Sequence, residues 1–253
     1  MNSKSQGINT AVDSISSIED AILQIKECRS ETEVATLLTS IARGFGVTSY
    51  VFVSMRCDES GPQSHRYLIG CSPAWCQMYN EKKWIYIDPF IQYARNNSAP
   101  IAGTSIKAST AGQRELLAAA AENGFRSGVV IPAHAGNSKR VGALYLGSNQ
   151  PPEEIEPVLM QRRMQLRAVA MELFEWWEAW IRAEVIAKLK FKDMDVALLK
   201  LVHEGFTAEE IARMLDITRA NIHVKLRRLN YKPEVHSKKH AAEKAIQLGI
   251  LNV

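Results

Sequence analysis

The sequence has few cysteines and lacks the patterns in which cysteine usually stabilises a fold. Its four cysteines form no CxxC pair and stand at positions 28, 57, 71 and 76. A disulfide framework or a zinc site is expected with such spacing or behind an export signal, and the N-terminal residues MNSKSQGINT do not resemble one. We therefore expect reduced thiols, with no bound metal and no cofactor.

Long apolar runs are also missing, although 46% of the residues are apolar. Charged residues interrupt every apolar stretch before the ~18 to 20 residues that a membrane span needs. The chain has no GxSxG, HExxH, P-loop or GxGxxG motif, and its six histidines are scattered. These absences predict a cytoplasmic protein that is neither membrane-bound nor an enzyme. The alternative of a small-molecule hydrolase in the N-terminal part finds no motif to support it.

The charge is unevenly distributed along the chain, whose formal net charge is +4. From Ala187 to the C-terminus, 13 lysines and arginines stand against 8 acidic residues, so this segment carries the whole positive excess. A basic part joined to a larger, nearly neutral part indicates that only the basic part meets a polyanion. A length of 253 residues is also sufficient for two domains.

Residues 15–182 have the pattern of a mixed α+β domain. Apolar residues at three-and-four spacing predict two helices between residues 15 and 44. Short runs of β-branched and aromatic residues predict four strands, at residues 50–54, 65–69, 127–131 and 140–146. Helices are favoured at residues 73–97 and 111–123, and the order predicts an antiparallel sheet. Strand and helix do not alternate as they do in a phosphorylated receiver domain.

One long helix is predicted from Glu153 to about Arg182, after Pro151-Pro152 ends the sheet. Its apolar stripe includes several tryptophans, at positions 176, 177 and 180. These favour packing onto the helix's own domain over a dimer contact, although both are compatible on different faces. Residues 183–190 are either a continuation of this helix or a linker to a second domain at residues 191–253.

This second domain has the pattern of three short helices. Apolar spacing predicts the first over residues 192–205, with Gly205 as a left-handed cap. Thr207 has the capping-box spacing that begins a second helix, with a glutamate three residues later. Thr218 can cap a third helix that runs to about Leu229. This plan predicts a small all-α helix-turn-helix domain that binds double-stranded DNA.

The predicted third helix carries a basic outward face. Arg219, His223 and Arg227 recur every four residues and therefore share one side. Arg227 and His223 are suited to donate to guanine, whereas Lys225 and Arg228 are suited to phosphates. A merely solvated basic face is the alternative, but the capped helix before it and the charge distribution favour DNA. The predicted DNA-binding residues are these five together with Thr207 and Thr218.

The chain resembles the LuxR-type quorum-sensing regulators at both ends. The C-terminal domain resembles their DNA-binding domain at residues 204–212, 217–218 and 235–251. Two N-terminal segments resemble their autoinducer-binding domain: Trp75-x-x-x-Tyr79 with Asp88-Pro89, and Gly124 to Pro132. The resemblance covers nearly the whole chain in the right order.

This resemblance implies a transcription factor whose N-terminal α-β-α sandwich binds an acyl-homoserine lactone or another small-molecule signal. It also implies a homodimer that binds a palindromic promoter site. By the same resemblance, Asp88 accepts a hydrogen bond from the ligand amide, Tyr79 donates to an acyl oxygen and Trp75 walls the lactone. A buried carboxylate needs such a partner to offset its desolvation. Without the resemblance, Asp88-Pro89 is a helix start and Trp75 a core residue.

Three further candidate ligand-binding residues depart from the family pattern. Gly103 stands where the family usually has a tryptophan that donates to the lactone carbonyl, Cys71 stands for a common tyrosine, and Tyr145 replaces a small hydroxyl residue. The missing donor weakens a lactone by about 1 to 2 kcal/mol unless Tyr145 or a water replaces it. A different or bulkier signal therefore stays open, as does a ligand-independent regulator or an anti-activator of the same fold.

Overall fold

The structure is a computed structural model that describes residues 17–58, 61–134 and 140–230. The chain divides into two units, Met1–Trp176 and Trp177–Val253. Within the described ranges, no helix combines the length and the apolar character needed to cross a membrane. Nor do three His, Cys, Asp or Glu side chains of these ranges cluster as metal ligands.

The helices between residues 17 and 189 lie largely where the sequence predicts them. Ser17, Ser30 and Thr110 begin three of them, because each side-chain oxygen accepts a backbone N–H in the first turn. The helices are α1 Ile18–Gln24, α2 Glu31–Gly44, α3 Pro73–Glu81, α4 Pro89–Asn96, α5 Ala111–Glu122, α6 Pro152–Gln161 and α7 Arg163–Leu189.

Five antiparallel strands form one sheet in the order β2-β1-β5-β4-β3. The strands are β1 Ser49–Asp58, β2 Gly61–Gly70, β3 Ile101–Ala102, β4 Ser127–Ala133 and β5 Arg140–Ser148. The four predicted strands are confirmed, and the mixed helix and antiparallel-sheet class with them. The sequence missed β3, because a two-residue strand is too short to show an alternating pattern.

Both faces of the sheet are covered by helices. One face, called here the cavity face, carries alternate residues of four strands, and they meet α3, α4 and α5. Tyr50 and Phe52 point to the opposite face, where the Tyr50 hydroxyl donates to the Ala35 carbonyl of α2 at 2.9 Å. The cavity-face residues are Val51, Val53, Tyr67, Ile69, Val130, Ala143 and Tyr145.

The prediction of a single long helix from Glu153 is wrong, because this segment forms two helices, α6 and α7, with a break at Arg162. The Arg162 guanidinium donates to the Gly44 carbonyl at 3.1 Å and lies over the Phe45 ring. No glycine or proline marks this break, so the local sequence does not show it. The structure resolves the ambiguity at residues 183–190 in favour of helix, since α7 continues to Leu189.

Three short helices follow in the second unit, at the positions that the sequence predicts: α8 Asp193–His203, α9 Ala208–Met214 and α10 Arg219–Asn230. Gly205 follows the C-terminal end of α8 in the left-handed conformation, at φ +90°. The helices bury a common apolar core formed by Leu198, Leu199, Ile211, Ala212, Ile222, Leu226 and Leu229. The family-like segment at residues 235–251 lies outside the described residues.

Candidate functional site

An apolar cavity of about 80 Å³ lies between the cavity face of the sheet and helices α3, α4 and α5. It has roughly the volume of three water molecules, whereas ligand sites usually measure about 300 Å³ or more. A signal-sized molecule therefore requires the lining side chains to move. Most of the wall is aliphatic or aromatic, and Asp88 is the one ionisable carboxylate among the lining residues of the described part.

Asp88 both begins α4 and faces this cavity. Its Oδ1 accepts the backbone N–H of Phe90 at 2.7 Å and that of Ile91 at 3.4 Å, as an N-cap does. Pro89 follows it at the first helical position. Burial raises the pKa of Asp88 above its ordinary value, although its hydrogen bonds act in the opposite direction. Asp88 therefore begins a helix and also lines the cavity.

Tyr79 of α3 donates its hydroxyl hydrogen to Asp88 Oδ2 at 2.8 Å. A phenol has one hydrogen to donate, so in this arrangement Tyr79 does not donate to an acyl oxygen as the sequence resemblance implies. It holds the carboxylate instead. Burial raises the pKa of Tyr79, and the charge of Asp88 raises it further.

Trp75 lies on α3 at the centre of an aromatic cluster against the cavity. Its ring centroid is 5.9 Å from that of Tyr79, 5.7 Å from that of Trp84 and 6.3 Å from that of Phe125. Only 5% of Trp75 is exposed. The residue is therefore a core residue and a wall of the cavity at once.

Tyr145 occupies the space next to Gly103. Its ring stacks on Phe125 with centroids 5.0 Å apart and packs against Phe90 at 4.7 Å. A Cβ atom added at Gly103 would lie 3.6 Å from the Tyr145 hydroxyl and 3.3 Å from the Gly128 carbonyl oxygen. The large residue at position 145 thus lies where the small residue at position 103 leaves room. Burial raises the pKa of Tyr145, as the charge of Asp88 also does.

Four of the six predicted ligand-binding residues, Trp75, Tyr79, Asp88 and Tyr145, line the cavity. Among the described lining residues Cys71 and Gly103 are absent. Cys71 lies next to the wall, where its Sγ is 3.4 Å from that of Cys76, a lining residue. Burial and the neighbouring Cys76 raise the pKa of Cys71, so its thiol is protonated at neutral pH.

Tyr67 is a cavity residue that the sequence interpretation missed. It lies on β2 opposite Val53, and its hydroxyl oxygen is buried without a hydrogen-bond partner in the described part of the chain. Alternation along β2 places it on the same face as Ile69, but alternation does not tell which face adjoins a cavity. Its role therefore had no signal in the sequence.

The basic residues of α10 fall into two groups. Arg219, His223 and Arg227 are exposed along one side, and Lys225 is half-buried. Arg228, which the sequence predicts to be a phosphate ligand, is also exposed, and its guanidinium donates to Asp195 of α8. Asp195 is fully buried, so this ion pair is the guanidinium's contact with the core of its own unit.

The two capping threonines hold the starts of α9 and α10. The Thr207 hydroxyl accepts the Glu210 N–H at 3.3 Å, and Glu210 accepts the Thr207 N–H in return at 2.8 Å. Thr218 accepts the Asn221 N–H at 3.2 Å. Both threonines are exposed, so they remain accessible while they cap.

Residues 30–176 match the sequence family described as the autoinducer binding domain. The chain is 25% identical over 226 residues to the transcriptional activator protein TraR of Agrobacterium vitis, across 85% of this chain and 91% of TraR. It is 24% identical over 188 residues to the transcriptional activator protein AhyR of Aeromonas hydrophila, across 72% of this chain and 71% of AhyR.

Solved structures share the fold. Escherichia coli SdiA superposes with a TM-score of 0.62 at 19% identity, over 93% of this chain and 98% of SdiA. SdiA in complex with octanoyl-rac-glycerol gives a TM-score of 0.61 at 16% identity, over 90% of this chain and 92% of SdiA. The N-acylhomoserine lactone-dependent factor CepR2 of Burkholderia cenocepacia gives 0.54 at 14% identity, over 67% of this chain and 95% of CepR2.

Proposed function

We propose that this chain binds an acyl signal and regulates transcription through DNA. The proposal proceeds from its family, because the chain belongs to the autoinducer-binding domain family and is a quorum-sensing regulator of the LuxR type. Proteins of this family are transcriptional regulators and not enzymes. The observation that carries the proposal is the buried Asp88 carboxylate, which faces an otherwise apolar cavity. The ligand class that we favour is an acyl-homoserine lactone or a related acyl compound.

The cavity chemistry supports an acylated ligand that offers one hydrogen-bond donor. The Asp88 carboxylate accepts three hydrogen bonds from the protein, and two carboxylate oxygens have room for about four. The free position suits a ligand amide, and the aliphatic wall suits an acyl chain. Trp75 would wall the polar end of the ligand. Residues 15–182 are the proposed ligand-binding and dimerisation domain.

Residues 191–253, which lie within the second unit, are proposed to be a helix-turn-helix domain. Helices α9 and α10 have its plan of a capped short helix, a tight turn and a basic helix. Arg219, His223 and Arg227 would contact bases, and Lys225 phosphates. A homodimer would double these contacts over a palindromic site, which a single small module needs for selectivity.

Mass spectrometry of purified full-length protein tests the signal directly. The protein is produced with and without added acyl-homoserine lactones, and small molecules are extracted and quantified per chain. We expect about one retained acyl compound per chain and DNA binding that depends on it. A chain that retains no compound, yet is dimeric and binds its DNA fully, contradicts the receptor proposal. That outcome would favour the ligand-independent regulator, a candidate that Gly103 and the 80 Å³ cavity support.

A further inference from the structure

The hydroxyl group of Tyr67 is a buried hydrogen-bond donor with no acceptor in the described part of the chain. It shares the cavity wall with Tyr79 and Asp88. Leaving a buried hydroxyl unpaired costs free energy, and native proteins rarely accept this cost without a partner, a water or a function. The position of Tyr67 therefore calls for an acceptor that the cavity contents would provide.

The neighbouring polar groups do not fill the same role. Asp88 is an acceptor when ionised and offers a ligand no donor. Tyr79 has already given its hydrogen to Asp88. Burial raises the pKa of Tyr67, and the charge of Asp88 raises it further, so the phenol stays protonated and keeps its hydrogen for donation. Tyr67 and Asp88 thus present a donor and an acceptor to one cavity.

We propose that Tyr67 donates a hydrogen bond to the acyl carbonyl oxygen of the ligand and thereby selects acyl compounds through their carbonyl group. The proposal rests on the proposed function, since it assigns a residue to the signal's acyl group. A ligand amide then meets Asp88 with its N–H and Tyr67 with its C=O. Tyr67 takes the role that Tyr79 cannot fill while it holds Asp88.

His65 offers the competing explanation. Its Nδ1 is also buried without a partner in the described ranges, and its ring centroid is 5.1 Å from that of Tyr67. If a small side-chain movement pairs the two groups, Tyr67 stabilises the fold rather than the ligand. The two roles differ in what Tyr67→Phe does without ligand, because loss of an unpaired hydroxyl does not destabilise the protein, whereas loss of a hydrogen bond does.

The test measures binding by isothermal titration calorimetry on full-length protein with two probes. N-octanoyl-homoserine lactone and octanoyl-rac-glycerol share an acyl carbonyl, but only the first has an amide N–H. We expect Tyr67→Phe to weaken both probes roughly 3- to 10-fold, the value of one neutral hydrogen bond. The ligand-free melting temperature should stay the same or rise. Tyr86→Phe is the matched control, because Tyr86 is 57% exposed, and it should change neither quantity.

Each other outcome is decisive. Equal affinity of wild type and Tyr67→Phe for both probes overturns the inference while the proposed function stands. If Tyr67→Phe has a lower ligand-free melting temperature and unchanged affinity, the Tyr67 hydroxyl is bonded to His65, and the inference is overturned as well. Weakening of the lactone alone overturns the acyl-carbonyl assignment, because the two probes share that group. Wild-type protein that binds neither probe contradicts both the proposed function and the inference.

Discussion

Asp88 has two roles that usually fall to different residues. One oxygen caps α4 through the Phe90 and Ile91 amides, and the other accepts the Tyr79 hydroxyl at the cavity. A capping aspartate has its acceptor fixed by the backbone, so it is already oriented when a ligand arrives. The helix start therefore positions the carboxylate at no further conformational cost.

Asp88→Asn separates these two roles. Asparagine still caps a helix, so we expect the fold to persist, but its NH₂ group opposes a ligand N–H and the charge is lost. Affinity for N-octanoyl-homoserine lactone should fall about 10-fold or more. Calorimetry checks this, with Glu122→Gln as an exposed acidic control in the same unit. Unchanged affinity in Asp88→Asn would remove Asp88 from the ligand contacts.

The raised pKa of Asp88 also predicts a pH dependence of stability. Below the ordinary aspartate pKa of about 4 the group is protonated in both states and costs nothing. As the pH rises through the raised folded pKa, the unfolded chain has already ionised while the native state holds its proton. The Asp88 contribution to the free energy of unfolding therefore falls with rising pH.

Urea unfolding of ligand-free wild type and Asp88→Asn across this pH range measures that contribution. We expect the stability difference, wild type minus variant, to decrease as the pH rises above about 4. A difference that grows with pH would mean that hydrogen bonds outweigh burial at this carboxylate.

At the scale of elements, the Gly103 turn and strand β5 fit each other. Glu156 of α6 accepts the Thr104 amide at 3.2 Å and the Gly128 amide at 3.1 Å, which fixes the turn beside β4. The Tyr145 hydroxyl lies next to the vacant side of Gly103. Each residue therefore constrains what the other position can hold.

A double-mutant cycle tests this fit. Gly103→Trp alone should destabilise the protein by about 1 to 3 kcal/mol through overpacking, and it should not improve lactone binding. Tyr145→Ser in the same chain should recover part of that stability and enlarge the cavity. Chemical denaturation gives the coupling. Strict additivity of the two changes would show that the two positions are independent.

The Arg228–Asp195 pair is the second feature at this scale. It joins α10 to α8, and Asp195 also accepts the Lys192 amide at 3.0 Å. Removal of the arginine leaves a fully buried carboxylate without its cation. Because the Arg228 side chain is 48% exposed, the loss should be smaller than that of a wholly buried pair.

Arg228→Ala is accordingly a stability variant rather than a DNA-affinity variant. We expect a loss of about 2 kcal/mol in unfolding free energy, below the ~3 to 5 kcal/mol of fully buried pairs. Thermal unfolding checks this, and Arg213→Ala on exposed α9 surface is the matched control. A variant of unchanged stability whose DNA affinity drops at all sequences would restore Arg228 as a phosphate ligand.

At the scale of the whole chain, the net positive charge lies in the C-terminal quarter. This distribution is expected of a protein whose one part senses a small apolar molecule and whose other part meets a polyanion. The two parts impose different demands on their surfaces. The proposed ligand-binding part needs no charge excess, and the proposed DNA-binding part needs one on a single helix.

Arg227→Ala and Lys225→Ala separate the two proposed kinds of DNA contact. Arg227→Ala should cost about 1 to 3 kcal/mol on the specific site and relax preference at one base pair. Lys225→Ala should weaken all sequences alike and lower the salt slope by about one. Fluorescence anisotropy on specific and random duplexes over a salt series measures both. Equal losses on both duplexes for Arg227→Ala would contradict its base contact.

Much of the fold follows from local chemistry. Alternating strands, three-and-four helical spacing and capping pairs such as Thr207 with Glu210 involve residues within a few positions of each other. The same holds for the basic face of α10, whereas Trp75, Tyr79 and Asp88 are recognised as a set only through the resemblance to the family. Such features are visible in the sequence because a helical or extended backbone fixes the geometry between near neighbours.

The hydrogen-bond partners that join different elements cannot be predicted from the sequence pattern. Nothing in their spacing shows that Tyr79 gives its hydrogen to Asp88, that Arg228 turns to Asp195, or that the Tyr67 hydroxyl is left unpaired. The break at Arg162 and the proximity of Tyr145 to Gly103 also depend on residues far along the chain. A donor has one hydrogen or a few, and packing alone determines which acceptor lies within reach of it.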